Sequence, residues 1–136
     1  MRRFVLALLV LAAVALTGCT TSDSSSSKKF SGTAGDVADV VGDIETAGKR
    51  KDAERLCSEL LARSLVQQLD AGGASCKQEM EDALADADEF VVNLRDVKVS
   101  GNEATAEVRQ GDTGPTRTIR FVREDNRWKA TAFSTG

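Results

Sequence analysis

The apolar positions downstream of residue 30 follow two periods in turn. From Gly35 to Lys49 they are Val37, Val40, Val41 and Ile44, spaced i, i+3, i+4, i+7, with Asp36, Asp39, Asp43 and Glu45 opposite. That spacing predicts an amphipathic helix, with Thr33 as its cap and Gly48 near its end. "DAERLCSELLARSLVQQL" repeats the helical period through Leu56, Leu60, Leu61, Leu65 and Leu69, with Asp52 as N-cap. Its length allows one helix or two short ones breaking near Arg63. "AGGAS" ends this stretch. Ser75 caps a third helix, "CKQEMEDALADA", with Met80, Ala83, Leu84 and Ala87 on the inner face.

After Phe90 the period falls to two. Val92 and Leu94, then Val97 and Val99, share a face only if the chain slips between Leu94 and Val97, which predicts a bulge. "GN" at 101–102, "GDTGP" at 111–115 and "DN" at 125–126 are turns. They separate "EATAEVRQ", with Ala104, Ala106 and Val108 on one side, "TRTIRFVRE", with Ile119 and Phe121 inward, and "RWKATAF", with Trp128, Ala130 and Ala132 inward. Three helices followed by four strands joined by short turns predict an α+β domain, with the helices packed on one face of an antiparallel meander.

The N-terminal stretch has a different logic. Arg2 and Arg3 precede thirteen apolar residues, Phe4 to Leu16, and then the small residues Thr17 and Gly18. This is the layout of a secretory signal peptide. The apolar run is shorter than the roughly 20 residues of a spanning helix, and a short retained anchor is the alternative. The short polar lead-in favours the general secretory route over a twin-arginine one. "LTGC", Leu16 to Cys19, resembles a bacterial lipobox at all four positions. The resemblance implies that the Cys19 thiol receives a diacylglycerol and that cleavage just before it makes Cys19 the first residue. Residues 1–18 are then the lipoprotein signal peptide. Buried acyl chains contribute about 0.8 kcal/mol per CH₂, and two chains anchor stably where one exchanges. "TTSDSSSSKK" has no apolar residue, so residues 19–29 read as a lipidated cysteine followed by a flexible tether, with the folded domain over 30–136. The expected location is the outward side of a bacterial cell membrane, in the periplasm or at the cell surface.

Charge and composition narrow the function. The formal net charge is −3, and the first eighteen residues carry two arginines and no acid, so the remainder stands at −5. No basic face for nucleic acid is expected. The chain has no His and no Tyr, which removes the commonest general base and metal ligand. The core rests on aliphatic residues plus Phe90, Phe121, Phe133 and Trp128. With Cys19 acylated, Cys57 and Cys76 remain, 19 residues apart, in an oxidising compartment. A disulfide between the second and third helices is the favoured reading. A metal or redox site is the alternative, for which there is neither a CxxC nor a histidine.

The order of elements resembles the NTF2-like superfamily, the SnoaL and ketosteroid-isomerase architecture, and in particular its small secreted bacterial lipoproteins. The likeness runs over about Phe30 to Phe133. It is carried by "GDVADVVGDIETAGKRKDAERLC", "LRDVKVSGNEATAEVR" and "VREDNRWKATAF". It implies a cone-shaped domain with a pocket between helices and curved sheet. Enzymes of the superfamily use a pocket carboxylate, often with Tyr or His partners, and this chain has neither partner.

No catalytic, cofactor-binding or metal-binding residue is assigned. The acids of the first helix, with Glu103 and Glu107, read as a solvated face. Asp86, Asp88, Glu89 and Asp96 are the acids whose side is ambiguous, and all four are expected at the surface. Arg109 and Arg120 fall on one sheet face with Glu107 and are expected to form cross-strand pairs worth roughly 0.2–1 kcal/mol each, an anion-binding or catalytic role being the alternative. No nucleotide, serine-hydrolase or zinc-protease motif is present. The expected function is a membrane-anchored, non-enzymatic module that binds a small hydrophobic ligand or an envelope protein. An isomerase- or dehydratase-type enzyme working in the same pocket is the alternative.

Overall fold

In a computed structural model, the structure describes residues 29–87 and 90–135. The signal segment, Cys19 and most of the tether lie outside the described residues, as do Asp88 and Glu89. Helix α1 runs Gly32–Lys49. Helix α2 starts at Ala53 and continues as a π-helical turn over Leu56–Leu60. Helices α3 (Arg63–Ala71) and α4 (Cys76–Ala85) follow, then strands β1 (Val92–Ser100), β2 (Glu103–Gln110), β3 (Thr116–Glu124) and β4 (Arg127–Thr135). The four strands form one antiparallel sheet in the order β1-β2-β3-β4. This is the predicted α+β arrangement.

The apolar period of α1 becomes its buried stripe, Val37, Val41, Ile44 and Ala47, laid against the sheet. The cap lies two residues earlier than Thr33, at Ser31, which makes no side-chain cap bond. Gly48 lies near its end, as expected, one residue before Lys49. Lys51 takes the left-handed position (φ 54°), and its N–H donates to Gly48 O while Asp52 N–H donates to Ala47 O. This paired closure is a Schellman motif. Asp52 caps α2, its side chain accepting from Arg55 N–H.

The long leucine segment does break at the predicted place. The Leu61 N–H reaches back five residues to Leu56 O (2.9 Å), and Leu61 itself is extended. The next N–H, of Ala62, donates to Ala130 O (2.8 Å). Leu61 and Ala62 thereby pair with the outer edge of β4 at Ala130, covering part of an edge that would otherwise stay open. Helix α4 is capped by Ser75, whose hydroxyl accepts from Gln78 N–H. Its inward face is narrower than predicted. Leu84 is buried and Met80 half-buried, but Ala83 is exposed, because α4 packs against α2 and α3 at the flank of the domain.

Both edge strands carry a bulge. In β1 Leu94 faces Val108 and Asp96 faces Glu107, so Arg95 is the extra residue and Val92, Leu94, Val97 and Val99 all point inward, as predicted. In β4 Trp128 and Ala130 point inward, but Phe121 faces Ala130 and Arg120 faces Ala132. Thr131 is therefore looped out, its hydroxyl donating to Arg120 O (3.3 Å). This corrects the expected strand. Ala132 turns to the outer face, and Phe133, opposite Ile119, turns inward. Bulges bend and twist the strands that hold them, and bending both edges curls the sheet around α1. The hairpin turn at Asp125 and Asn126 has both residues at positive φ (48° and 66°), the geometry two-residue hairpins favour.

Cys57 and Cys76 are joined by a disulfide, with Cα atoms 6.1 Å apart. It ties the π-helical turn to the first residue of α4. Closing a loop of this length contributes about 3 kcal/mol in the chain-entropy model. Thiol titration of the unfolded, unreduced chain is expected to find neither Cys57 nor Cys76 free. The paired Cys57→Ser/Cys76→Ser variant is expected to lose about 3 kcal/mol in urea unfolding. A free thiol at either position, or an unchanged unfolding midpoint, contradicts this.

Candidate functional site

The inward positions of the sheet form a continuous set. They are Val92, Leu94, Val97 and Val99 on β1, Ala104, Ala106, Val108 and Gln110 on β2, Arg117, Ile119, Phe121 and Arg123 on β3, and Trp128, Ala130 and Phe133 on β4. None is an acid. The middle of this face is made of small residues, Ala104, Ala106 and Ala130, each at most 4% exposed. They let α1 and the π-helical turn approach closely, so the centre of the cone is filled.

The end of the sheet nearest the C-terminus of α1 is not filled. There a cleft of about 240 Å³ opens between Ile44, Phe90, Val92, Val108, Ile119 and Phe133, with Gln110, Arg117 and Thr118 at its polar margin. Two features make its walls. Phe90 lies flat on Gly48, so close that a Cβ on Gly48 would stand 2.3 Å from Phe90 Cδ1. The β4 bulge delivers Phe133, half of whose side chain stays in solvent (50%), the one large apolar residue so exposed among those described. The expectation that Phe133 belongs to the core is corrected in this way. It lines a cleft instead. The base of the cleft is rigid, since Ile44, Val108 and Ile119 are buried.

The margin is held by the β2–β3 loop. Gly111 N–H donates to Val91 O (2.9 Å), and Asn93 Nδ2 donates to Gly111 O (2.7 Å). Arg109 Nε donates to Gly114 O (3.2 Å). Arg117, opposite Val108 in the register, projects inward at the cleft mouth and is half-buried. Arg109 and Arg120, the arginines that the strand pattern suggests, both lie on the outer face, away from the cleft. The expected pairing with Glu107 is corrected too. Glu107 faces Thr118, and Arg120 faces Thr105. The signal for Arg117 was present in the alternation, because a strand that buries Ile119 and Phe121 also turns residue 117 inward.

The acids lie elsewhere. Asp36, Asp39, Asp86, Asp96, Glu103 and Glu107 are exposed. Asp43 is half-buried and bonded to Arg55 Nη2 (2.9 Å), which also reaches Glu59 from Nε (3.3 Å). The hydrogen bond that Arg55 donates to Asp43, with the charges of Asp43 and Glu59 and the bond donated to Glu59, raises the Arg55 pKa above its ordinary value against the opposing effect of burial. This pair joins α1 to α2, and neither residue lines the cleft, although Asp43 adjoins Ile44. Among the described residues no polar or charged side chain is buried. Nor is any group of three His, Cys, Asp or Glu side chains placed to hold a metal, and no described helix is long and apolar enough to cross a membrane.

No protein-family profile matches the chain, and no curated protein matches it in sequence. Among solved structures it is similar to the solution structure of a SEC-C motif containing protein from Rhodopseudomonas palustris. The TM-score is 0.55 at 12% identity, over 71% of this chain and 76% of that one. It is also similar to a de novo designed NTF2-fold protein, with a TM-score of 0.51 at 17% identity over 74% of this chain and 84% of the designed one. The domain therefore has an NTF2-like fold, in agreement with the resemblance in its sequence. At these identities the likeness extends to fold and no further.

The Gly48–Phe90 contact shapes the cleft wall and is open to a direct test. Gly48→Ala is expected to cost about 1–3 kcal/mol, since the new methyl has to displace a packed ring. Combining it with Phe90→Ala should give a loss well below the sum of the two single losses. Additive losses in urea unfolding would show that the two residues do not share a contact.

Proposed function

We infer that this chain is an exported, lipid-anchored protein of the bacterial cell envelope, whose NTF2-like domain is a non-enzymatic module for binding a small hydrophobic ligand. The observation that carries the binding half is the cleft beside Phe133. It is apolar at its base, open at its mouth, and walled by a half-exposed aromatic ring. At about 240 Å³ it is smaller than the roughly 300–1,000 Å³ of drug-sized sites, which favours a small ligand over a protein segment. Support for the absence of catalysis comes from the placement of the acids. Proton transfer near neutral pH needs a group tuned by burial or by a neighbouring like charge, and the inward face of the sheet offers no acid. Support for export comes from "LTGC" at the end of an apolar run, from the Ser-rich tether, and from the Cys57–Cys76 disulfide, a bond that persists in oxidising compartments.

Two measurements test the reading. Wild-type protein expressed in a bacterial host is expected to partition into detergent and to carry the mass of a diacylglycerol on Cys19, whereas Cys19→Ala is released or stays uncleaved. A soluble wild-type chain with no lipid mass would sink the anchoring half. For the cleft, Ile44 and Ile119 are the chain's only isoleucines, and both line it. Isoleucine-methyl NMR of the full chain, titrated with 1-octanol, is expected to shift both signals. Phe133→Ala should weaken that binding about tenfold while costing about 1 kcal/mol or less of stability, because the ring is only half covered. Methyl signals that ignore the hydrophobe would remove the binding half.

A further inference from the structure

We propose that the cleft selects amphipathic anions: molecules with a short apolar body and one carboxylate or similar anionic group, the body lying against Phe133 and Ile119 and the anion held by Arg117. The proposal rests on the binding reading above and narrows it to a ligand class. Three observations carry it. First, Arg117 is inward-facing by register, opposite Val108, and lines the mouth of the cleft. Second, no acid among the described residues pairs with it. Its face of the sheet contains none, and no ion pair joins Arg117 to any described residue. The other charged position on that face, Arg123, stands at the far end of β3 beside Trp128, in a groove that Asp36, Asp39 and Asp43 also line. One inward arginine thus sits in acidic surroundings and the other does not. Third, Arg117 is half-buried among apolar walls, where a charge-assisted bond is stronger than one made in open solvent.

The geometry also orders the ligand. The apolar base lies towards Ile44 and Ile119, which are buried, and the polar margin of Gln110 and Arg117 lies at the strand ends. A guanidinium presents paired N–H donors that match the two oxygens of a carboxylate. A molecule entering tail first leaves its anionic group level with that fork. A body of roughly six to ten carbons suits a cleft below the drug-sized range.

The test uses the full chain in nanodiscs of neutral lipid, isoleucine-methyl labelled, titrated separately with octanoate, 1-octanol and octylamine. Each ligand's partitioning is measured on empty discs. Octanoate is expected to bind about tenfold or more tighter than octanol, and octylamine weaker than either. Arg117→Gln should bring octanoate and octanol to within about threefold of each other, chiefly by weakening octanoate, and Arg117→Lys should restore part of the preference. Unshifted Ile44 and Ile119 signals in the unliganded variants confirm that the cleft is intact. Equal binding of octanoate and octanol overturns the anion selectivity and leaves the hydrophobic pocket standing, as does a preference that survives Arg117→Gln. Failure of all three ligands to move either methyl overturns the pocket reading and this proposal with it.

Discussion

The structure depends on covering one face of a four-stranded sheet. That face is apolar along every strand, and a sheet of this kind persists in water only when a second layer excludes solvent from it. Helix α1 is that layer. It fits because the centre of the face is alanine, at positions 104, 106 and 130, and because the bulges at Arg95 and Thr131 bend both edges towards the helix. The cover is shorter than what it covers. The α1 stripe ends at Gly48, while the sheet continues past Ile119 to Arg117 and Phe133. The cleft is the part of the concave face that α1 does not reach, closed on one side by Phe90.

The remaining helices brace this pair of layers more than they extend it. The segment from Ala53 to Ala62 changes from α to π geometry and then to an extended strand residue within ten positions. Each change answers a separate demand. The π-helical turn brings Leu56 and Leu60 into the core, and the extended residue lets Leu61 and Ala62 pair with β4. Such a segment has few regular hydrogen bonds of its own. The disulfide from Cys57 to α4 and the ion pairs from Arg55 to Asp43 and Glu59 hold it. The exposed contacts of Arg63 with Asp125 and Glu124 add little, because such pairs contribute about 0–1 kcal/mol.

Where the hydrophobic period was regular, the sequence could be read directly. The stripe of α1, the caps at Asp52 and Ser75, the turns, and the slip in β1 all follow from local patterns. The misreadings come from positions that serve a distant partner. Gly48 lies near the helix end, as its residue type suggests, but local pattern does not reveal that it admits Phe90, while Lys51 takes the left-handed position that glycine usually fills. Ala132 reads as inward but faces outward, because a bulge at Thr131 leaves no mark in "KATAF". The β1 bulge was visible only because apolar residues on both sides of it displayed the change of phase. Arg117 was passed over for a different reason. Arg109 and Arg120 stand near an acid in the strand pattern, whereas the informative arginine is the one with no described acid beside it.

At the open end of the concave face the described residues leave two groups uncovered. A half-buried guanidinium with no counter-charge among the described residues loses hydration without gaining an ion-pair partner, and a half-exposed phenyl ring leaves apolar area in water. Both unfavourable contributions meet in one cleft of this domain, on a base of buried aliphatic side chains that cannot collapse inward to relieve them. Elsewhere the same kinds of group are satisfied internally: Arg55 by Asp43 and Glu59, Phe121 and Trp128 by burial. An occupant with an apolar body and an anionic end offsets both contributions together, and a purely apolar or purely ionic one offsets half. The selectivity proposed for the cleft is therefore the complement of what the fold leaves unsatisfied there.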